Sequence, residues 1–302
     1  MRNLGTLIKK IRTDKQMSVK ALAENICSEK FIYLIEKGER NPSVSVLSKI
    51  GYKLDLDLYE YLPYISCENP DFAKKVIDQF EVFRFNKELE KLYQLTNFVK
   101  DDPNFQTKTW SGEIDFNFAI YELFKTHDYD STFFFIKRGI EKLDGKLDQF
   151  DKIELFSLPL TKLYNLLMLY YYNTQKNEKG DQLLAALYNE VHKKRKINAF
   201  KEIYISIAIN YFYSFIEQKE LIELEKALLE FKAFQLKCNK LSRIYITYFL
   251  LAKFYFIKGD NVAKNHFIDL FLVFGKIIDS QKDYQDLKKI DFIQDYINSK
   301  YA

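Results

Sequence analysis

Four short amphipathic segments, each bounded by helix-start or helix-stop residues, follow one another from Asn3 to Leu54. Ser18 and Ser28 precede the second and third segments, and a serine hydroxyl is a preferred helix N-cap. Gly38 follows the third segment, and glycine readily adopts the left-handed conformation that ends a helix. We therefore predict four packed helices whose apolar faces carry Leu4, Leu7, Ile8 and Ile11, then Val19, Leu22, Ala23 and Ile26, and finally Val44, Leu47, Ile50 and Leu54.

Two short helices joined by a tight break on a helical platform indicate a helix-turn-helix. The segment closely resembles the XRE-type helix-turn-helix regulators, from Leu7–Arg12 through Ile35–Gly38 to Arg40–Ser43. The resemblance implies a domain that presents its third helix to the major groove of double-stranded DNA. It also implies that Arg12 of the first helix pairs with Glu36, and we interpret that pair as structural.

The base-contacting positions of such domains fall at the start of the third helix, on Ser28, Glu29, Lys30, Phe31 and Tyr33. Glu29 and Lys30 can hydrogen-bond base edges, and Phe31 can touch thymine methyl groups. The aromatic residues make this helix more apolar than most of its kind, so packing on the second helix is their alternative role. Phosphate contacts are expected, with a merely solvated face as the alternative, at Lys9, Lys20, Lys37, Arg40 and Asn41.

The basic excess of the chain lies in this segment. Residues 1–66 hold 11 Lys and Arg against 8 Asp and Glu, a net charge of +3 out of +4 for all 302 residues. One module this weakly basic would bind DNA poorly alone, because phosphate neutralisation supplies much of the affinity. Two copies on adjacent half-sites would bind better, so we expect a homodimer.

Residues 67–302 also have a helical composition. The whole chain has only 9 Gly and 5 Pro, and long segments lack strand alternation. Turn residues separate roughly ten helices and a last one from Tyr284 to Tyr301. Pairs of helices recur about every 35 to 40 residues, a period typical of an α-solenoid.

The run Ala252–Asp260, followed by Ala263, resembles a tetratricopeptide hairpin, in which a small residue and an aromatic residue lock two helices and Gly-Asp makes the turn. The other units are degenerate. We predict an all-α chain with a helix-turn-helix domain at residues 1–66. An α-solenoid of tetratricopeptide-like hairpins follows at residues 67–302 and serves peptide binding and dimerisation. Such a solenoid has a concave face that binds extended peptides or partner segments.

An XRE-type domain followed by degenerate helical repeats resembles the Rgg/PlcR/PrgX peptide-pheromone regulators of Gram-positive bacteria. Leu22–Cys27 is similar to the PlcR-type branch. The resemblance implies a dimer whose repeats bind a short imported signalling peptide and thereby change DNA binding. It also implies that asparagines on the inner helices hydrogen-bond the peptide backbone, a role that matches Asn165 best and Asn210 next.

Asn165 and Asn210 each interrupt a strongly apolar helix, where an unpartnered amide costs about 1 to 3 kcal/mol. Amides bonded to neighbouring helices are the alternative. Tyr164, Tyr204 and Tyr211 flank the asparagines and are candidate peptide contacts. The chain has 27 Phe and 22 Tyr, however, and aromatic side chains also fill repeat cores.

Other classes of site lack a signature. The three cysteines and three histidines are isolated, which gives neither a disulfide framework nor a metal site, and we expect no cofactor. The chain has no glycine-rich phosphate loop and no arrangement of catalytic residues, so an enzyme is not expected. The N-terminus begins with an amphipathic helix, and the longest apolar stretch, Ile244–Ile257, contains Lys253. We expect a cytoplasmic protein without membrane contact.

Two functions fit these observations. The first is a quorum-sensing transcription regulator that binds operator DNA as a homodimer and is switched by a short signalling peptide. The alternative is a constitutive DNA-binding repressor whose repeats serve only dimerisation or protein docking.

Overall fold

The computed structural model describes residues 2–147, 150, 153–155, 157–216, 221–278 and 282–301. All regular elements within those residues are helical, which confirms the all-α prediction. The chain divides into two compact units, Met1–Gly145 and Lys146–Ala302.

The first unit begins with four helices and a 3₁₀ helix, and continues with two helical hairpins. Its elements are α1 (Arg2–Asp14), α2 (Val19–Ala23), α3 (Glu29–Glu36), α4 (Val44–Lys53), a 3₁₀ helix (Leu58–Tyr64), α5 (Pro70–Phe85), α6 (Leu89–Val99), a 3₁₀ turn (Pro103–Phe105), α7 (Lys108–Tyr121), which runs into a π-helical turn (Glu122–Thr126), and α8 (Tyr129–Lys142).

Serine hydroxyls cap α2, α3 and α4 at their N-termini. Each accepts a hydrogen bond from the backbone N–H three residues later, at 3.0 Å for Ser18, 3.2 Å for Ser28 and 3.3 Å for Ser43. Gly38 follows α3 with φ of 73°, and its N–H donates to the carbonyl of Ile35 at 2.8 Å. The predicted helix starts and the predicted stop at Gly38 are therefore present.

The four N-terminal helices share one apolar core, which includes Leu4, Leu7, Ile8, Leu22, Ala23, Ile32, Ile35, Leu47, Ile50 and Leu54. A Cβ atom on Gly5 of α1 would lie 1.9 Å from the carbonyl oxygen of Ile35, so glycine permits the close approach of α1 to α3. The prediction was wrong for Val44, which is 73 % exposed because it is the first residue of α4. Val46 packs against the core instead.

Helices α5 and α6 form one hairpin, α7 and α8 form the next, and α6 packs on α7. Helix α7 is buried along most of its length, including three polar residues, Glu113, Asp115 and Asn117. Arg84 of α5 forms an ion pair with Glu113, with 2.8 Å between Nη2 and Oε1, and also donates to Asn117. Arg84 thus ties two of these buried polar side chains of α7 to α5.

The second unit contains three hairpins and two short C-terminal helices. Its elements are α9 (Leu158–Asn173), α10 (Asn177–Lys194), a 3₁₀ turn (Asn198–Phe200), α11 (Lys201–Phe215), α12 (Leu221–Lys237), α13 (Ile244–Lys258), α14 (Asn261–Ile278), α15 (Lys282–Lys288) and α16 (Asp291–Tyr301). The predicted turn after α13 is present, since Gly259 has φ of 81°.

Two details differ from the sequence prediction. The predicted last helix is broken into α15 and α16. Ile290 lies between these two helices and lines a cavity together with Phe292. The first helices of the hairpins begin at Pro70, Lys108, Leu158, Lys201 and Ile244. The first spacing, 38 residues, agrees with the predicted 35 to 40, whereas the next three, of 50, 43 and 43 residues, are longer. The 3₁₀ turns and connectors between hairpins account for the extra length.

Candidate functional sites

Helix α3 buries one side and exposes the other. Ile32 and Ile35 lie in the N-terminal core, while Glu29, Lys30 and Tyr33 project to solvent. We call the exposed residues Glu29, Lys30, Tyr33 and Lys37 the recognition surface. Its members follow the helical period and can enter one groove of a duplex together.

The two aromatic residues of α3 have different environments. Phe31 is half-buried and packs against the N-terminal core, which is the alternative role considered for it from the sequence. Tyr33 is 51 % exposed, and the ammonium of Lys37 lies 4.6 Å from the centroid of its ring. A cation over an aromatic face is attracted by the ring quadrupole, which orients Tyr33 and Lys37 relative to each other. Ser28 is exposed, but its hydroxyl is engaged as the α3 cap.

The residues considered for phosphate contacts all have exposed side chains: Lys9, Lys20, Lys37, Arg40 and Asn41. They lie on α1, on α2 and on the segment that follows α3, and both α1 and α2 pack on α3. Exposed cations beside a recognition helix are suited to neutralise backbone phosphates.

Arg12 and Glu36 form a two-pronged ion pair between α1 and the end of α3. Arg12 Nε donates to Oε1 of Glu36 at 2.6 Å, and Nη2 donates to Oε2 at 3.0 Å. Nη1 of the same guanidinium donates to the carbonyl of Met17 at 2.7 Å. The side chains are only 12 % and 3 % exposed, and the hydrogen bond to Glu36 raises the pKa of Arg12. The pair therefore fixes α3 on its platform.

Helix α11 contacts both α9 and α13 in the second unit. On each of the three helices the accessible side chains follow one narrow stripe, because the remaining sides pack on neighbouring helices. We call these stripes together the inner face: Lys162, Asn165 and Leu169 on α9, Ser206, Asn210 and Tyr213 on α11, and Ile246, Lys253, Phe256 and Ile257 on α13.

The two predicted asparagines lie on the inner face and are half-buried. The side-chain oxygen of Asn165 is buried and accepts no hydrogen bond from the residues that the structure describes. Leaving such an acceptor unbonded costs about 1 to 3 kcal/mol, so a structural role alone does not explain an amide there.

The three flanking tyrosines lie in the core. Tyr164 is 2 % exposed, and its hydroxyl donates to the carbonyl and accepts from the N–H of Lys146, both at 2.8 Å. Tyr204 is also 2 % exposed, and Tyr211 stacks on Tyr188 with 3.9 Å between ring centroids. We therefore remove these tyrosines from the proposed ligand contacts, since their rings offer almost no surface. Packing in the repeat core was the alternative role that the sequence left open for them.

Sequence reasoning did not identify the aromatic cluster around Tyr188. Tyr204 packs edge-on against Phe231 and Phe234, and its hydroxyl lies 3.2 Å from Nδ1 of His192. Burial raises the pKa of Tyr188 to about 12 and lowers the pKa of His192. The signal available in the sequence was the spacing of Tyr188 and His192, which are four residues apart and therefore lie on the same side of α10, facing α11.

Comparison with known proteins decides the nature of the N-terminal segment. Residues 8–60 match the Helix-turn-helix family. The prediction of an XRE-type helix-turn-helix domain is confirmed. No curated protein matches the chain by sequence.

Several solved structures share the fold over nearly the whole chain. PlcR of Bacillus thuringiensis in complex with the peptide PapR7 and DNA aligns with a TM-score of 0.69 and 18 % identity, covering 96 % of this chain and 100 % of PlcR. The apo form of the competence regulator ComR from Streptococcus vestibularis aligns with a TM-score of 0.52 and 16 % identity, covering 95 % of this chain and 96 % of ComR. The likeness is one of fold, and it confirms the predicted order of helix-turn-helix and helical repeats.

Within the described residues, no group of three or more His, Cys, Asp or Glu side chains is arranged to hold a metal ion. The described helices include none with the length and apolar character needed to cross a membrane.

Proposed function

We propose that this protein is a transcription regulator that binds operator DNA as a homodimer and is switched by a short peptide on the inner face of its second unit. The observation that carries the peptide-binding part is the buried side-chain oxygen of Asn165, which has no donor among the described residues. The helix-turn-helix match over residues 8–60 supports the DNA-binding part.

DNA reading is assigned to the recognition surface. Lys30 can donate to O6 and N7 of guanine, and Glu29 can accept from N4 of cytosine. The exposed edge of the Tyr33 ring is suited to contact a thymine methyl group. Lys9, Lys20, Arg40 and Asn41 would hold the phosphates on either side and set the register of α3.

Peptide binding is assigned to the inner face because an extended peptide needs partners for its backbone groups once water is excluded. An asparagine side chain offers one acceptor and two donor hydrogens, so it can bond both groups of one peptide unit. Asn165 and Asn210 lie on neighbouring helices, and both are half-buried. The PlcR structure that shares this fold contains the peptide PapR7 together with DNA.

Dimerisation follows from the charge of the N-terminal domain. A net charge of +3 over residues 1–66 neutralises few phosphates, and two copies on one DNA double the number of contacts. A two-fold symmetric dimer would bind a pseudo-palindromic operator with half-sites separated by about one helical turn, roughly 34 to 36 Å, or a multiple of it.

The test begins with full-length protein and a random pool of 30-base-pair duplexes, from which bound DNA is selected and sequenced. The expected result is an inverted repeat. A fluorescein-labelled random heptapeptide library is then added at increasing concentration, and retention of the selected DNA is measured. We expect the peptides to change DNA retention. A pool that yields an inverted repeat but no peptide response would contradict the switch and favour repeats that serve only dimerisation or docking.

A further inference from the structure

A cavity of about 350 Å³ opens on the inner face, beside α16. Its walls are mainly apolar and come from α11, α13 and the start of α16, and they include Tyr213, Phe249, Phe256, Ile257 and Phe292. This volume is at the lower end of the range for ligand pockets and is suited to one or two large side chains.

The cavity adjoins the asparagine row. Tyr213 follows Asn210 by three residues on the same face of α11, a rise of about 4.5 Å along the helix. One or two residues of an extended chain span that distance. A peptide whose backbone is held at Asn210 therefore brings a neighbouring side chain to the mouth of the cavity.

The mouth of the cavity exposes apolar surface. Phe256 is 51 % exposed although its ring stacks on Phe292 with 4.9 Å between centroids, Ile257 is 42 % exposed, and Tyr213 is 49 % exposed. Three large apolar side chains around one concavity present surface that an apolar ligand group would remove from water.

One cation lies in the wall. The ammonium of Lys253 is half-buried and lies 5.1 Å from the centroid of the Tyr213 ring. An ammonium group at an apolar wall is only partly hydrated, so a ligand carboxylate beside it would form a charge-assisted hydrogen bond. Asp291, the first residue of α16, lines the same cavity and is exposed, so a ligand carboxylate near Lys253 would also meet this negative charge.

We infer that this cavity binds an aromatic or branched apolar side chain of the peptide, with a carboxylate of the same peptide held at Lys253. The inference rests on the proposed function and specifies the class of its ligand. Helices pack 8 to 10 Å apart, so the inner face from α9 to α13 spans about 20 Å, which about six or seven extended residues cover. The carboxylate comes either from an acidic side chain or from the peptide C-terminus.

The test uses a positional-scanning set of fluorescein-labelled heptapeptides and the full-length protein, with binding measured by fluorescence polarisation. Each sub-library fixes Phe, Ala or Asp at one position, and each is made as the free acid and as the C-terminal amide. We expect Phe to bind about tenfold tighter than Ala at one position, because one buried aromatic side chain contributes at least this much. Loss of affinity on amidation identifies the C-terminal carboxylate, and an Asp preference that survives amidation identifies a side chain.

Four variants assign the effect to the cavity. Ile257→Trp fills the cavity, Phe256→Ala removes one wall, and each should abolish the Phe preference. Lys253→Met should abolish the carboxylate preference while the Phe preference remains. Asp291→Asn should strengthen the binding of carboxylate-containing peptides several-fold, because it removes a repelling charge.

Phe98→Ala is the matched control, since Phe98 is a 79 % exposed aromatic residue on α6 in the other unit. Variants are compared after circular dichroism and thermal melting show the wild-type helix content. Preferences that persist in both Ile257→Trp and Phe256→Ala would overturn the cavity assignment. Binding that depends on Asn165 without any Phe preference would overturn this inference alone, whereas no binding by any sub-library would overturn the proposed function as well.

Discussion

Tyr64 stacks face to face on Trp110, with 4.8 Å between ring centroids and 4° between ring planes. Tyr64 ends the 3₁₀ helix that closes the N-terminal domain, and Trp110 lies in the first turn of α7. Lys10 of α1 and Asp71 of α5 add an ion pair at 3.2 Å. The N-terminal domain is therefore packed on the first two hairpins within one compact unit, so a change in these hairpins can reach α1 through side-chain contacts.

Trp110 is the single tryptophan of the chain and reports on this contact by fluorescence. Tyr64 and Trp110 are each 7 % exposed. Tyr64→Ala should lower the free energy of unfolding by about 3 kcal/mol and shift the Trp110 emission to longer wavelength, because one face of the indole becomes accessible to water. Tyr64→Phe keeps the stacking and should leave the emission unchanged. Equal emission spectra for wild type and Tyr64→Ala would contradict the contact.

Lys30→Ala should weaken binding to the selected operator far more than binding to random DNA. A specific base contact contributes about 1 to 3 kcal/mol of discrimination, whereas a phosphate contact contributes to both DNAs. Lys9→Ala, an equally exposed lysine on α1, is the matched control and should weaken both nearly equally. The measurement is a titration of both duplexes at two salt concentrations, and identical losses for the two variants would remove Lys30 from the base-reading set.

Arg12→Ala should unfold the N-terminal domain or destabilise it by about 3 to 5 kcal/mol. The Glu36 carboxylate is 3 % exposed, and without the guanidinium it would remain buried without its cation. Arg12 also bonds the Met17 carbonyl, so the variant loses three hydrogen bonds. Urea unfolding followed by circular dichroism gives the free energy. The double variant Arg12→Met with Glu36→Leu should recover most of the loss, and an unchanged unfolding curve for Arg12→Ala would show that the pair contributes little.

The N-terminal domain was predictable from sequence because its determinants are local. Ser28 caps the helix that it precedes, Gly38 ends it with a positive φ, and Ile32 and Ile35 repeat at helical spacing. These features depend on a few consecutive residues, and their order is specific to one arrangement of four helices.

The inner face was only partly predictable. Helices α9 and α11 are apolar on nearly all sides, so their periodicity does not indicate which stripe faces solvent. Tyr164 and Asn165 are adjacent in sequence, yet Tyr164 turns into the core and Asn165 does not. That choice depends on which helices pack on α9, and such long-range contacts are not readable from the residues themselves. The cavity at Lys253 likewise requires α16 to pack near α13.

Lowering the pH from 7 to 5 should destabilise the second unit through His192. Burial lowers the pKa of His192 from its usual value, and the nearby Arg195 lowers it further, while Glu230 opposes this. The unfolded chain therefore binds the proton more readily than the folded chain, and stability falls as the pH drops through the unfolded pKa near 6.5. His192→Gln should reduce this pH dependence in thermal melts. If the melting temperature of His192→Gln depends on pH as strongly as that of the wild type, the effect comes from other groups.

Replacing Asn165 with leucine separates ligand binding from stability. The Asn165 oxygen accepts no hydrogen bond within the described part of the chain, so an apolar side chain of similar size should leave the free energy of unfolding unchanged or raise it slightly. The same change removes the donor and acceptor that we assign to the peptide backbone, and it should abolish the response of DNA binding to the tightest heptapeptide of the positional scan. Operator binding without peptide should stay at the wild-type level, because a ligand shifts an equilibrium only by its differential affinity for the two states.

The matched control is Asn189→Leu, since Asn189 is an exposed asparagine on α10. A variant that loses several kcal/mol of stability would identify Asn165 as a structural amide, and one that binds peptide like wild type would exclude it from the site.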